Sequence, residues 1–279
     1  MSYRFDAVSP GGISRRLVIR LAPASGRQGG PADVLRQVPL LTALSRAQLP
    51  VAPLVWSTPS REQFGTDAII QERLPANSID MFGPSPASAE EIVANRVPLS
   101  KAVETLAMFH SFDWRRDLQG WSEPQTPTSL LNLTSRVLAR SPEPSWQDHG
   151  LRLLESLAAT QPGPGPVGLV HGDFQTNNVL FDPDGPQVVA VVDWELADIG
   201  PQELDLAWAA MMADPRCWDT SVAAGLRVRA EPEEVFGWYG KEPSPRLWWH
   251  FALACLRYVS VAMKKYPLVA RSRSPLVAN

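Results

Sequence analysis

The stretch Val170-His171-Gly172-Asp173-Phe174-Gln175-Thr176-Asn177-Asn178-Val179-Leu180-Phe181, with Val191-Val192-Asp193-Trp194-Glu195 soon after it, constrains this chain more than any other. Polar residues interrupt runs that are otherwise apolar and β-branched, the pattern of short strands that end at a site. Residues 179–181 and 188–192 flank Asp182-Pro183-Asp184-Gly185, a turn sequence with hairpin character. An aspartate (Asp173), an amide five positions on (Asn178) and a second aspartate fifteen beyond that (Asp193) can therefore meet at one end of a small sheet. Oxygen ligands of this kind suit Mg²⁺, which takes a few carboxylates, waters and substrate phosphates in preference to a full protein cage. Phosphoryl transfer needs that arrangement: a carboxylate to orient and deprotonate a hydroxyl, metal charge on the phosphates, and little covalent work from the protein.

A length of 279 residues leaves room for one large or two modest domains with a core that needs no staple. The formal net charge of -3 lacks the basic excess of a chain that neutralises many phosphates, which argues against a nucleic-acid partner. Cys217 and Cys255 are too few for a disulfide framework, and the start has no basic segment followed by an apolar signal core. No apolar run approaches the ~18 residues of a membrane span. The expectation is a soluble, cytoplasmic protein with no membrane partner. Prolines number 27, but 44 % hydrophobic content with ten Trp makes them punctuation between elements, not a mark of disorder.

Residues 16–21 read as a strand entering a loop that holds Gly26, Gly29, Gly30 and Pro31. Helical spacing covers 32–46, where Pro39 predicts a kink or break. Strands follow over 51–56 and 68–72, and the first, strand-dominated section closes at Asn77. Beyond about Ser85 helices dominate. Over 101–112 Val103, Leu106, Ala107 and His110 share a face, and over 247–263 Trp248, Phe251, Cys255, Val259 and Met263 form a stripe. A Pro/Gly cluster at 161–167 delivers the chain into the hairpin segment.

The order H-x-D-x-x-x-x-N followed by a metal-binding Asp matches the protein-kinase pattern, with Gly172 in place of Arg and Asp193-Trp194-Glu195 in place of Asp-Phe-Gly. Together with Asp205-Leu206-Ala207, these segments resemble the aminoglycoside phosphotransferases and choline kinase-like phosphotransferases, small-molecule relatives of the protein kinases. The resemblance implies an α+β, two-lobed protein kinase-like fold: a small β-rich N-terminal lobe over 1–77 ending in a hinge, and a larger, mainly helical lobe over 78–279 with the catalytic loop and acceptor pocket. It implies ATP as phosphoryl donor, Mg²⁺ as cofactor and a hydroxyl of a small molecule as acceptor. Asp173 is then the catalytic base, and Asn178, Asp193 and Glu195 the metal ligands. Arg20 resembles the basic residue on the nucleotide's phosphates, and Gln71-Glu72-Arg73-Leu74 the hinge, so Glu72 and Leu74 would meet the adenine through backbone groups. His171 and Asp205 would hold the catalytic loop by hydrogen bonds.

Two departures stand out. Where relatives commonly carry a Glu that pairs with the phosphate-binding basic residue, this chain has Gln37, so that link is at best a hydrogen bond. The strand and glycine-rich loop that precede the equivalent of residues 2–6 have no room before Ser2, so the expectation is either phosphates without a lid or a natural chain that starts earlier, and Gly11-Gly12 reads as a hairpin turn. These features motivate an alternative, a pseudokinase that binds nucleotide or a partner without efficient turnover. A metal-dependent phosphoester hydrolase is a third reading, disfavoured because one His before Asp173 makes a dinuclear cluster implausible. Arginines in Asp113-Trp114-Arg115-Arg116-Asp117 and Arg227-Val228-Arg229 weigh against a polycationic acceptor. Trp121, Trp218 and Trp238 are candidates to line the acceptor pocket. Similarity to the branch found fused to acyl-CoA dehydrogenases implies a hydroxyacyl or other partly apolar alcohol.

Overall fold

The computed structural model describes residues 1–23, 33–60, 62–141 and 144–273, those after 262 as backbone only. The loop expected at Gly26, Gly29, Gly30 and Pro31, the helix start at Ala32 and the side chain of Met263 lie outside the described residues. The architecture is α+β, with a small antiparallel sheet set against a mainly helical body.

Strands β1 (Ser2–Val8) and β2 (Ser14–Leu21) form a hairpin whose turn closes through the Gly12 N–H on the Ser9 carbonyl at 2.9 Å. Gly12 sits at φ +80°, a left-handed conformation that costs glycine nothing, so Gly11-Gly12 forms a turn as its spacing predicts. With β3 (Leu54–Thr58) and β4 (Ala68–Glu72) the order is β1-β2-β4-β3. The strand expected from Val51 begins later, because Pro50 and Pro53 remove ladder donors there. Val51 instead makes a single parallel bridge to Val191.

Helix α1 (Gln37–Arg46) follows one 3₁₀ turn, Val34–Arg36, which Asp33 caps. Pro39 neither kinks nor breaks it. The helix starts only two residues earlier, so the missing N–H falls in the first turn, where it has no intrahelical partner to lose. Leu40, Leu41 and Leu44 of α1 share one buried cluster with Val51, Ile69, Phe109, Trp194 and Leu206. Burial of each such side chain is worth roughly 1.5–3 kcal/mol, so the small sheet and the helical body are joined by apolar packing.

The body contains α2 (Ala89–Ala94), α3 (Arg96–His110), α4 (Trp114–Asp117), α5 (Pro127–Leu138), α6 (Pro144–Ala159), α7 (Gln202–Ala213), α8 (Thr220–Ala224), α9 (Pro232–Trp238) and α10 (Pro245–Arg273). The helix expected over 101–112 is α3, which starts earlier at Arg96 with Pro98 in its first turn. On α10 the predicted stripe is only half right. Trp248 and Val259 are exposed, while Trp249, Leu253 and Leu256 pack with Leu130, Leu138 and Leu157 from α5 and α6. Flanked on two sides, α10 has no single apolar face for a period to reveal. No described helix is long and apolar enough to cross a membrane.

Two short pairings position the site. β5 (Val167–Val170) runs antiparallel to β8 (Asp198–Pro201), and β6 (Val179–Phe181) pairs with β7 (Val188–Val191) in the predicted hairpin. That hairpin is tied to the small lobe by reciprocal backbone bonds between Asn77 and Phe181 at 2.8 and 3.0 Å and by the Val191 N–H on the Pro50 carbonyl at 2.8 Å.

Candidate active site

Asp205 organises the loop that leaves β5. Its carboxylate accepts the backbone N–H groups of His171 at 2.5 Å and Gly172 at 2.8 Å, and it faces His110 Nε2 at 3.4 Å. An ionised carboxyl so fully buried is tolerated only when its lone pairs are filled. Burial alone would raise its pKa, but the hydrogen bond and charge of His110 and the contacts to His171 outweigh burial and hold it below the usual carboxylate range. His110 Nδ1 meets the Tyr239 hydroxyl at 2.7 Å, and His171 Nε2 meets the Val192 carbonyl at 3.0 Å. Both histidines are therefore satisfied core residues. Gly172 sits at φ +83°, and a Cβ there would collide with the Leu196 carbonyl, so the loop and the turn after Asp193 approach too closely for a side chain.

That loop presents Asp173. Its carboxylate accepts Gln175 Nε2 at 3.0 and 3.1 Å, Asn178 Nδ2 at 3.2 Å and Trp208 Nε1 at 3.2 Å. Burial raises its pKa above the ordinary value, against the lowering effect of those hydrogen bonds and the neighbouring His171. Asn178 also donates Nδ2 to the Asp173 carbonyl at 2.9 Å, which leaves its amide oxygen as the atom available to a cation. The Val192 N–H on the Asn178 carbonyl, 2.9 Å, draws the two arms of the hairpin together and brings Asp193 beside Asn178.

Asp193 adopts a left-handed backbone conformation, φ 68° and ψ 53°, which Asp tolerates better than most residues and which turns the chain out of β7 into the 3₁₀ turn Trp194–Leu196. Arg20 Nη2 reaches across from β2 to Asp193 Oδ1 at 2.5 Å and Glu195 Oε2 at 3.3 Å. Burial and then the Asp193 charge raise the Glu195 pKa. The predicted link from Arg20 to Gln37 is not formed. The guanidinium is engaged by the two carboxylates, and Gln37 is buried with its Nε2 donor unpartnered.

Between the sheet and the hairpin lies a cleft of about 930 Å³ whose lining includes Arg20, Glu72, Leu74, Asn178 and Asp193. Asp173 lies one hydrogen bond behind Asn178, and Glu195 lines an adjoining space of about 360 Å³ that also touches Arg20. At the hinge the Glu72 N–H is taken by the Pro53 carbonyl at 2.9 Å, and its side chain pairs with Arg15 at 2.5 Å. No backbone hydrogen bond among the described residues occupies Leu74.

Of the three tryptophans singled out for an acceptor pocket, Trp218 is linked to Asp173, through the rings of Tyr258 and Trp208. It packs edge-on with Phe82 at 4.8 Å and Tyr258 at 5.0 Å, and Tyr258 is 6.0 Å from the Trp208 ring. Trp121 lies under Arg36 and Trp238 near Arg96. The arginines near the acceptor regions have structural partners: Arg227 pairs with Glu91 at 3.1 Å, Arg116 with Asp117 at 2.6 Å, and Arg229 binds the carbonyls of Ala223, Ala224 and Leu226. Sequence reading passed over Gln175 and Trp208. The position of Trp208, one turn beyond Asp205 on the same helix, was the available signal.

A sequence model described as the phosphotransferase enzyme family matches residues 3–240. The chain belongs to that family. Among curated proteins it is 34 % identical over 134 residues to acyl-CoA dehydrogenase family member 11 of Gallus gallus, an alignment covering 46 % of this chain and 16 % of that protein. It is 27 % identical to acyl-CoA dehydrogenase family member 10 of Mus musculus, over 71 % of this chain and 18 % of that protein. The chain thus spans a quarter or less of the length of either. Among solved structures a Plasmodium vivax ethanolamine kinase superposes with TM-score 0.62 at 13 % identity, covering 94 % of this chain and 76 % of that one. A candidate aminoglycoside phosphotransferase from Ralstonia eutropha JMP134 gives 0.71 at 18 % identity, covering 99 % and 86 %. At these identities the superpositions establish the two-lobed fold.

Proposed function

We propose that this phosphotransferase moves the γ-phosphate of ATP to a hydroxyl of a small molecule with the help of Mg²⁺. The observation that carries this reading is the convergence of Asp173, Asn178 and Asp193 at one end of the cleft, with Arg20 reaching Asp193 from β2. The donor set fits the metal. It consists of oxygens from an amide and one or two carboxylates, the incomplete shell that Mg²⁺ fills with phosphate and water. Asn178 and Asp193 would hold the ion and Glu195 would support it. When bound, it would neutralise charge on the phosphates.

Asp173 acts as the base. Its three neighbouring donors fix the carboxylate while burial raises its proton affinity, so it can orient the acceptor hydroxyl and take its proton. Arg20 exchanges its carboxylate partners for phosphate oxygens, a geometry that suits guanidinium. Adenine lies against the hinge at Glu72 and Leu74, with the Leu74 backbone as its hydrogen-bonding edge. The division into a nucleotide lobe, 1–77, and an acceptor-bearing lobe, 78–279, belongs to the same proposal, as does action in the cytoplasm. On the far side of Asp173 the Phe82, Trp208, Trp218 and Tyr258 group favours a partly apolar alcohol over a polycation. The relatives named for acyl-CoA dehydrogenases are consistent with a hydroxyacyl acceptor.

One observation favours the pseudokinase alternative: among the described residues Arg20 hydrogen-bonds Asp193 and Glu195 and not Gln37. Thermal stabilisation by ATP with and without Mg²⁺, followed by ATP consumption with a panel of alcohols, separates the two. The proposal expects Mg²⁺-dependent stabilisation and acceptor-dependent consumption. Stabilisation with no consumption against any alcohol would favour the pseudokinase.

A further inference from the structure

The turn that carries Asp193 and Glu195 is gripped from the small lobe at both ends. Arg20 holds its start, and Arg36 holds its end. Arg36 closes the 3₁₀ turn before α1 and sends Nη1 to the Ala197 carbonyl at 2.6 Å and Nη2 to Asp198 Oδ1 at 3.1 Å. Its guanidinium lies 4.0 Å over the Trp121 ring, and Trp121 Nε1 returns a bond to the Arg36 carbonyl at 2.9 Å. Asp198 is fixed in turn by the Ser122 hydroxyl and by Gln125 Nε2 at 2.6 Å. The ion pair is shielded, with side-chain exposures of 18 % for Arg36 and 22 % for Asp198.

We propose that Arg36 is a positioning residue for the metal-holding turn, an inference that rests on the phosphotransferase reading above. Ala197 and Asp198 directly follow the turn Trp194–Leu196, so fixing them fixes where Glu195 and Asp193 stand relative to α1. Gln37 offers no link between α1 and Arg20, which leaves the neighbouring Arg36 as the residue that registers the helix against the metal site. The role becomes decisive on nucleotide binding. Once Arg20 turns to phosphate, Arg36 is the small-lobe side chain that still holds the turn. The arrangement needs a planar fork with an aromatic face beneath it, so lysine replaces it only in part.

The test uses Arg36→Gln and Arg36→Lys in the full chain, with thermal stabilisation by ATP titrated against Mg²⁺ and with hydrogen exchange of residues 193–199. Arg36→Gln should need about tenfold more Mg²⁺ for half-maximal stabilisation, the loss typical when an outer partner of a metal site is removed. Stabilisation by ATP in EDTA should be unchanged, and Arg36→Lys should recover part of the deficit. Two results overturn the proposal: a Mg²⁺ requirement equal to that of the parent, or an equal weakening with and without metal that tracks a lower melting temperature, which marks a purely structural tether. If Arg36→Gln does not fold, Arg36→Lys carries the same comparison. A parent protein that ATP fails to stabilise at any Mg²⁺ concentration sinks the phosphotransferase reading instead. Exchange then still decides whether Arg36 holds the turn: faster exchange over 193–199 supports it, and unchanged exchange refutes it.

Discussion

Asp173 separates two regions built on opposite principles. On one side stand Arg20, Asn178, Asp193 and Glu195, charged or amide groups held at hydrogen-bond distance and carried mostly by one short hairpin. On the other stand Trp208, Trp218, Phe82 and Tyr258, with Met81, Met211, Met212, Cys217 and Cys255 around them, an aromatic and sulfur-rich group drawn from segments far apart in the chain. The first side requires particular atoms at particular places, and so restricts which residues can stand there. The second requires only apolar bulk of suitable shape, which many residues supply. On the proposed reading, transfer chemistry resides in a local motif, while the choice of acceptor resides in packing.

The sharpest way to break that contrast is to remove the chemistry and keep the shape. Asp173→Asn and Asp193→Asn are nearly isosteric, and each should cut acceptor-dependent ATP consumption by roughly 10²–10⁴-fold, the range for loss of a base or an essential charge. The melting temperature should stay close to that of the parent. Turnover at the parental rate in either variant would remove the polar side from the mechanism.

Asp205→Ala attacks the support beneath both sides. It strips the acceptor from the His171 and Gly172 N–H groups and leaves His110 facing a void, so a stability loss of about 3–5 kcal/mol is expected from denaturant unfolding. The pH dependence gives a second handle. The folded-state pKa of Asp205 is depressed, so its contribution is complete at neutral pH and drains away as the pH falls below about 4. Asp205→Asn should flatten that acid limb. An unchanged slope would assign acid sensitivity to other carboxylates.

The same contrast governs what the sequence alone made legible. The hairpin, its turn and the proximity of Asn178 to Asp193 follow from spacing, because backbone pairing over a dozen residues is a local matter. The two-lobed fold followed from resemblance carried by those same residues. Arg36 was illegible because its partners lie more than 80 positions away, at Trp121, Ala197 and Asp198. The partner of Arg20 was misjudged for a related reason: pairing it with Gln37 assumed a family geometry, whereas two carboxylates compete for the guanidinium. Pro39 shows the local version of the problem, since one residue type reads as breaker or starter depending on where the helix begins.

A smaller effect probes the apolar side. Trp218→Leu keeps bulk but removes two edge-on aromatic pairs, with Phe82 and Tyr258, at a cost of about 1–2 kcal/mol in stability. If this group borders the acceptor, its KM should rise while Mg²⁺-dependent stabilisation by ATP stays the same. A change confined to the nucleotide would place Trp218 on the wrong side of the contrast.

Gln37 supplies the finest test, because it is a polar residue in a place that now needs none. Its Nε2 is buried without a partner, and an unmet donor of this kind costs on the order of 1 kcal/mol. Gln37→Leu keeps much of the volume and discards that donor, so the free energy of unfolding should rise by about 1 kcal/mol. Nucleotide binding should not change, since Arg20 draws nothing from this side chain. Gln37→Glu asks the opposite question. A carboxylate there would compete with Asp193 and Glu195 for Arg20, and if it wins, the two acids are freed and less Mg²⁺ is needed for half-maximal stabilisation by ATP. If Gln37→Leu instead weakens nucleotide binding, the amide is in use during turnover and the lobes move closer than they stand here.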